Sequence, residues 1–289
     1  MSCLQKPSIY FPSMGTIETE TTFEPIKTDS KIFEFVEATG STKKSIWNEL
    51  KSGFYKRYFP NQFPGCFERD RQSDDFGRQQ TGIDLSTTAK NSLDINAWTY
   101  DIACIKSLTK SFTMKIVHPT KYKDLIIHLW KEEAVLKSND LKDAMNGIKN
   151  KVHVFENDNM LNDKRIELIE GSGYKYVSRF DVRDYFPKFY THFTACLKTD
   201  DVYCARQAFD NNTQSEWARS LDKAISACQH NETHGLPISG DLFHFIANIV
   251  SIFIDHRVVK NFKNINGKYE ILRYQDNYDI FTKTTEQSL

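Results

Sequence analysis

The segment from Asp241 to Lys283 constrains this chain more than any other. Leu242, Phe245, Ile246, Ile249, Val250 and Phe253 recur at i, i+3, i+4, i+7, i+8 and i+11, the spacing of one broad helical face that has to be buried. Two strand-like runs follow, Lys268 to Tyr274 and Tyr278 to Lys283, separated only by Gln275-Asp276-Asn277. Asp and Asn tolerate positive φ, so a tight hairpin with a carboxylate at its tip is expected.

Upstream, Tyr176 to Asp181 reads as a strand ending in an aspartate, followed by a turn at Pro187 and a helix through about Cys196. A further helix is expected from Thr213. There Thr213-Gln-Ser-Glu216 has the capping-box pattern, and Trp217, Leu221, Ala224, Ile225 and Cys228 form the apolar stripe. Strand, three helices and a hairpin describe an α+β fold, an antiparallel sheet with helices on one face. If the strand and the hairpin are neighbours, Asp181 and Asp276 converge. Paired carboxylates at strand ends suit a site for two hard divalent cations.

The N-terminal part is less regular. Residues 1 to 40, rich in Thr, Ser, Glu and Pro, read as a loosely ordered arm, with order expected from about Ser41. Trp47, Leu50 and Phe54 then mark a helix whose Lys43, Lys44, Lys51, Lys56 and Arg57 make it basic. For any single lysine a solvated face is the simpler reading. Residues 61 to 95 are turn-rich and read as a long loop, Ser111 to His118 as a strand, and Tyr122, Leu125, Ile126, Leu129 and Trp130 as one face of the next helix. Lysines outnumber acids between Lys106 and Lys151.

The whole chain balances 38 Lys+Arg against 38 Asp+Glu, so no overall basic character points to nucleic acid, although local patches remain open. A hydrophobic fraction of 39 % excludes a disordered chain. Six cysteines without a C-x-x-C pair, and a start lacking the apolar run of a signal peptide, lead to the expectation of a cytoplasmic protein with no membrane association. The greasy stretch Asp241 to Ile254, interrupted by His244 and Asn248, is too short to span a bilayer. Cys228, His230 and His234 could suggest half a zinc site, but the ligand count is short and a solvated loop is the better reading. Gly171-Ser-Gly173 is a turn and no P-loop, so phosphates would need Lys or Arg side chains; Lys115, Lys164 and Arg165 are candidates, although for any one of them a surface charge is the simpler reading.

Three runs carry a resemblance. Phe180-Asp-Val-Arg-Asp-Tyr-Phe-Pro-Lys-Phe-Tyr-Thr-His192, Gly235-Leu-Pro-Ile-Ser-Gly-Asp241 and Leu272-Arg-Tyr-Gln-Asp-Asn277 resemble, in order and spacing, the A, B and C motifs of reverse transcriptases. Phe-Tyr-Thr-His after the first aspartate, and Leu221-Asp-Lys223 with Gln229 and Thr233 before Gly-Leu-Pro, are similar to bacterial abortive-infection and other antiviral-defence members of that family. Lys110 to Leu129, with His118-Pro119-x-x-Tyr122, resembles the fingers of the group less strongly.

The resemblance implies a right-hand polymerase with an arm at 1–40, fingers at 41–175 and a ferredoxin-like palm at 176–289, incomplete because it ends just after the C motif. It implies RNA-directed DNA polymerase activity on dNTPs, with two Mg²⁺ ions for which Mn²⁺ could substitute. Asp181 and Asp276 would be the catalytic, metal-holding carboxylates, with the Val182 carbonyl and Asn277 as further ligands. Phe186 would abut the sugar and exclude a 2′-OH. Gly235, Leu236, Pro237 and Lys115 would contact the nucleotide, and Tyr190, His192, Gln229 and Tyr274 would support the site. The implied partners are an RNA or DNA template and primer, or a protein side chain as primer, together with a partner subunit or a thumb beyond Leu289. Two positions depart from the pattern: Asn277 stands where the family has a second aspartate, and Ser239 where it usually has glycine. They leave open a weakened, polymerase-like subunit that binds RNA or protein, and less strongly a nuclease using the same aspartates.

Overall fold

The structure, a computed structural model, describes residues 30–59, 99–107, 110–155, 158–171, 173–192, 216–238, 240–262 and 269–283. The fold is α+β. Its described elements are α1 (Lys31–Glu37), α2 (Gly40–Lys56), β1 (Tyr100–Ser107), β2 (Lys110–Ile116), α3 (Pro119–Trp130), α4 (Asn139–Ile148), β3 (Val152–Phe155), α5 (Asp158–Gly171), β4 (Tyr176–Asp181), α6 (Glu216–Ser226), α7 (Asp241–Phe262), β5 (Tyr269–Tyr274) and β6 (Asn277–Thr282).

α7 is the axis of the molecule. Its Leu242, Phe243, Phe245, Ile246, Ile249, Val250, Ile252 and Phe253 are all buried, so the helix is covered nearly all round and not on one face alone. It runs on to Phe262, past the apolar stretch Asp241 to Ile254 that by itself is too short to span a bilayer, and its 22 residues are long and apolar enough to cross a membrane. Two thirds of that stretch is buried inside the protein itself, the arrangement of a core helix. Trp217 of α6 stacks on Phe253 at 5.6 Å and donates its indole N–H to Asp140 of α4 at 2.7 Å. α3 joins the same core through Tyr122, which donates to the Phe54 carbonyl of α2 at 2.9 Å.

The arm expected to be loose contains α1. Its Ile32, Phe33, Phe35 and Val36 are buried, and Phe35 meets both Trp47 and Trp130 at 6.1 Å. Seven residues are too few to hold a helix by hydrogen bonding alone, so α1 exists because those side chains dock. Residues 1–29 of the arm, the 61–95 loop, the Thr213 end of the capping box and Ser239 lie outside the described residues. β1 and β2 form a separate antiparallel hairpin.

The main sheet has the order β3-β5-β6-β4. The expectation of an antiparallel sheet is corrected in one strand: β3 pairs parallel to β5, while β5–β6 and β6–β4 are antiparallel. The expectation of helices on one face is also corrected. Tyr269, Ile271, Tyr278 and Ile280 pack into the core that holds α7, whereas Leu272 and Phe281 pack with Leu161 and Leu168 of α5 on the other side. The alternation of a strand delivers both sets, since successive side chains point to opposite faces. The segment after β4 is a series of turns to Lys188, in keeping with the turn expected at Pro187, and then a bridge from Tyr190 to His234 where the helix through about Cys196 was expected; residues 193 to 196 lie outside the described residues.

Candidate active site

β4 and the β5–β6 hairpin are neighbours, and the register sets Asp181 opposite Asn277. The backbone N–H of Val182 donates to the Asp276 carbonyl at 3.0 Å, tying the residue after the first aspartate to the second. The hairpin turn is two residues, Gln275 and Asp276, with the positive φ at Gln275 (54°), whereas the sequence pointed to the Asp or the Asn for it. Asn277 donates its side-chain amide to Asp276 Oδ1 at 3.1 Å. Where a second carboxylate would add charge, the amide gives Asp276 a hydrogen-bond donor. Asp181 and Val182 are exposed.

These residues offer two carboxylates, a backbone carbonyl and an amide oxygen. That donor set is all oxygen, which suits Mg²⁺ or Mn²⁺ and not a thiolate- or imidazole-preferring metal. Among the described residues, no group of three or more His, Cys, Asp or Glu side chains is placed to hold a metal ion. Cys228 is buried and its thiol lies against the carbonyls of Lys121 and Ala224 at 3.6 and 3.3 Å, where burial pushes its pKa up.

The hairpin is fixed from below. Arg273, fully buried, donates from Nε to Asp255 of α7 at 2.8 Å and from Nη1 to Asn248 at 2.9 Å, and Nη1 lies 3.5 Å from the Gln275 carbonyl. Burial opposes the guanidinium charge, but Asp255 beside it, with Tyr278 and Tyr185, more than offsets that and keeps Arg273 protonated. Tyr185 donates to the Ala247 carbonyl of α7 at 2.8 Å and sits 2.5 Å from Ser251 Oγ, pinning the turn after β4 to the same helix.

The Gly235-Leu-Pro237 turn docks on that post-β4 segment. Gly235 N–H donates to the Phe189 carbonyl at 2.6 Å and Leu236 N–H to the Phe186 carbonyl at 2.8 Å. Gly235 has φ +81°, a left-handed conformation that calls for glycine, while a Cβ there would stand 3.4 Å from the Pro187 carbonyl oxygen, an ordinary contact. Gln229 clasps the turn from within, its amide donating to the carbonyls of Glu232 and Gly235 at 2.7 and 3.0 Å. Lys115 is joined through its backbone, whose N–H donates to the Ile238 carbonyl at 3.0 Å.

The remaining residues singled out by sequence divide. Phe186 is half-buried, edge-on to His244 at 4.8 Å. His192 pairs with Asp222 of α6 at 2.7 Å, and Tyr190, 47 % exposed, lies beside the His192 ring. Tyr274 packs with the α5-side cluster. Lys164 and Arg165 have their charges engaged within the fold, by Glu167 and by Asp279 at 2.5 Å each.

Sequence reasoning missed His244, Asn248, Asp255 and Arg273. Burial lowers the pKa of His244, against the opposing fields of Asp241 and Asp276, so the imidazole beside Phe186 is neutral at pH 7. The signal was present: Arg273 has the inward parity of Tyr269 and Ile271, and Asp255 and Asn248 interrupt an otherwise apolar helix.

No protein-family model matches this chain, and no curated protein is similar to it.

Proposed function

We propose that this chain is a reverse-transcriptase-like nucleotidyltransferase that extends DNA from deoxynucleoside triphosphates, in bacterial antiviral defence. The observation that carries the reading is the joining of Asp181-Val182 to Asp276-Asn277 across β4 and the hairpin. The defence role rests on the motif resemblance alone.

In this reading Asp181, Asp276, the Val182 carbonyl and the Asn277 amide oxygen would hold the divalent cations. When bound, such ions supply the positive charge that activates a primer hydroxyl and neutralises the departing pyrophosphate. The protein's own part is positional. Arg273 and Tyr185 anchor both aspartate-bearing segments to α7. Phe186, backed by the neutral His244, would press its ring against the sugar, and the Gly235 turn would form the adjoining wall.

Incubation with labelled dNTPs and Mg²⁺ or Mn²⁺, using Asp181→Asn and Asp276→Asn as controls, tests the reading. Incorporation that falls at least about a hundredfold in both variants is expected, as for loss of a group that stabilises transition-state charge. Incorporation unaffected by either substitution refutes these aspartates as the site. The Asn277 amide favours a second reading, a polymerase-like subunit that binds RNA or a protein partner. That reading predicts metal-independent RNA or partner binding and no incorporation by the intact gene product.

A further inference from the structure

The N-terminal turn of α2, the C-terminal end of α3 and the first turns of α4 enclose an open groove of about 380 Å³, lined by Gly40, Lys43, Lys44, Trp130, Lys137 and Lys142, with Glu132 as its one acid. A second hollow of about 350 Å³ shares Lys44 and Trp130 and adds Lys51. The two present five lysines against one glutamate in a protein with no net charge.

Among the described residues, most of that charge has no acidic partner within ion-pair distance. Glu132 is taken by Lys137 at 2.7 Å. Lys43 lies over the Phe35 ring at 4.7 Å, and its pKa is lowered, first by burial and then by Lys142 and Lys137. Like charges held together in a half-buried hollow cost stability unless an anion neutralises them. α2 adds to the field, because its N-cap Thr39 makes no side-chain cap and its first turn holds no acid and ends in Lys43. The aromatic floor is already engaged: Trp130 stacks on Trp47 at 5.1 Å and carries Lys137 over its ring at 4.6 Å. Among the described residues of the groove, Lys43, Lys44 and Lys142 therefore carry charge without an acid partner, Lys137 shares its charge with Glu132, and no ring is free for a base.

We propose that this groove binds a compact polyphosphate anion, held by Lys43, Lys44, Lys137 and Lys142, at a site formed by other elements than the strands that carry Asp181 and Asp276. Several phosphates on one small ligand match several converging ammonium groups, and the volume is within the range of small-ligand sites. The inference does not depend on the polymerase reading.

Calorimetric titration of the full chain with sodium tripolyphosphate, at low ionic strength and with EDTA to silence any metal-dependent triphosphate site, tests it. Saturable one-to-one binding is expected, about tenfold weaker in Lys43→Gln/Lys142→Gln because two charge-assisted contacts are lost, and unchanged in Asp181→Asn. If the double variant fails to fold by circular dichroism, Lys44→Gln takes its place, at an exposed side chain, with a weakening of about threefold expected. Absence of saturable binding in the natural chain, or affinity indifferent to these lysines, overturns the proposal. So does a single-stranded oligonucleotide that binds through the same lysines and is not displaced by tripolyphosphate.

Discussion

A Cβ added at Gly240 would stand 2.0 Å from the Arg57 carbonyl oxygen and 2.5 Å from that of Tyr58. Both obstacles are backbone, so no side-chain rotation relieves them. This close approach seats the start of α7 on the end of α2, where Asp241 N–H donates to the same Arg57 carbonyl at 3.2 Å and the Asp241 carboxylate meets Arg57 Nε at 2.8 Å. Gly235 is constrained differently, by its φ of +81° and by ordinary contact with the Pro187 carbonyl. Gly240→Ala should therefore be the costlier change, about 2 to 3 kcal/mol from forced backbone movement, against about 1 to 2 kcal/mol for Gly235→Ala from a left-handed conformation. Urea denaturation of the two variants measures this, and a larger loss for Gly235→Ala would contradict it. Gly240, one position after Ser239, is thus in a place where the fold has no room for a side chain.

At the scale of elements, the joint between α7 and β5 is a buried ion pair in an apolar core. Arg273 and Asp255 both have fully buried side chains. Neither charge gains from water, so each depends on the other, Arg273 also on Asn248 and Asp255 also on Tyr278. Arg273→Met should cost about 3 to 5 kcal/mol by stranding Asp255, while Arg273→Met with Asp255→Leu should regain most of that loss. Equilibrium unfolding of the single and double variants decides it, and a double variant as unstable as the single would show that the pair is not the source of the cost. Much of this layer was legible beforehand. The strand Tyr176–Asp181 and the start of α7 fall where the sequence put them, because alternation, helical spacing and turn residues are local signals. What was not legible depended on distant partners. β3 is four residues whose parallel neighbour β5 lies more than a hundred positions on, and α1 is a short segment held by Trp47 and Trp130. The aspartate strand and hairpin could be named from sequence, but the Arg273, Asp255 and Asn248 support beneath them required the packing.

Across the whole molecule, the two aspartates sit in layers of unequal burial. β5 and β6 are covered on both faces and β6 lies inside the sheet, so Asp276 is mounted on the core. Among the described residues β4 is an edge strand, with Tyr176, Val177 and Phe180 between 38 and 53 % exposed, and only β6 pairs with it in the sheet. Local opening free energy follows buried contacts, so amides of α7, β5 and β6 should exchange with solvent at the rate of global unfolding and those of β4 much faster. That difference gives the metal reading a test that needs no catalysis. An ion held jointly by Asp181 and Asp276 ties the edge strand to the buried hairpin, and ligand binding to the closed form suppresses opening in proportion to occupancy. Addition of Mg²⁺ or Mn²⁺ should then slow exchange at Phe180 to Val182 in the natural chain and leave it unchanged in Asp181→Asn. Equal protection of β4 in both proteins would mean that the ion acts elsewhere, and that the two carboxylates are neighbours without a shared ligand.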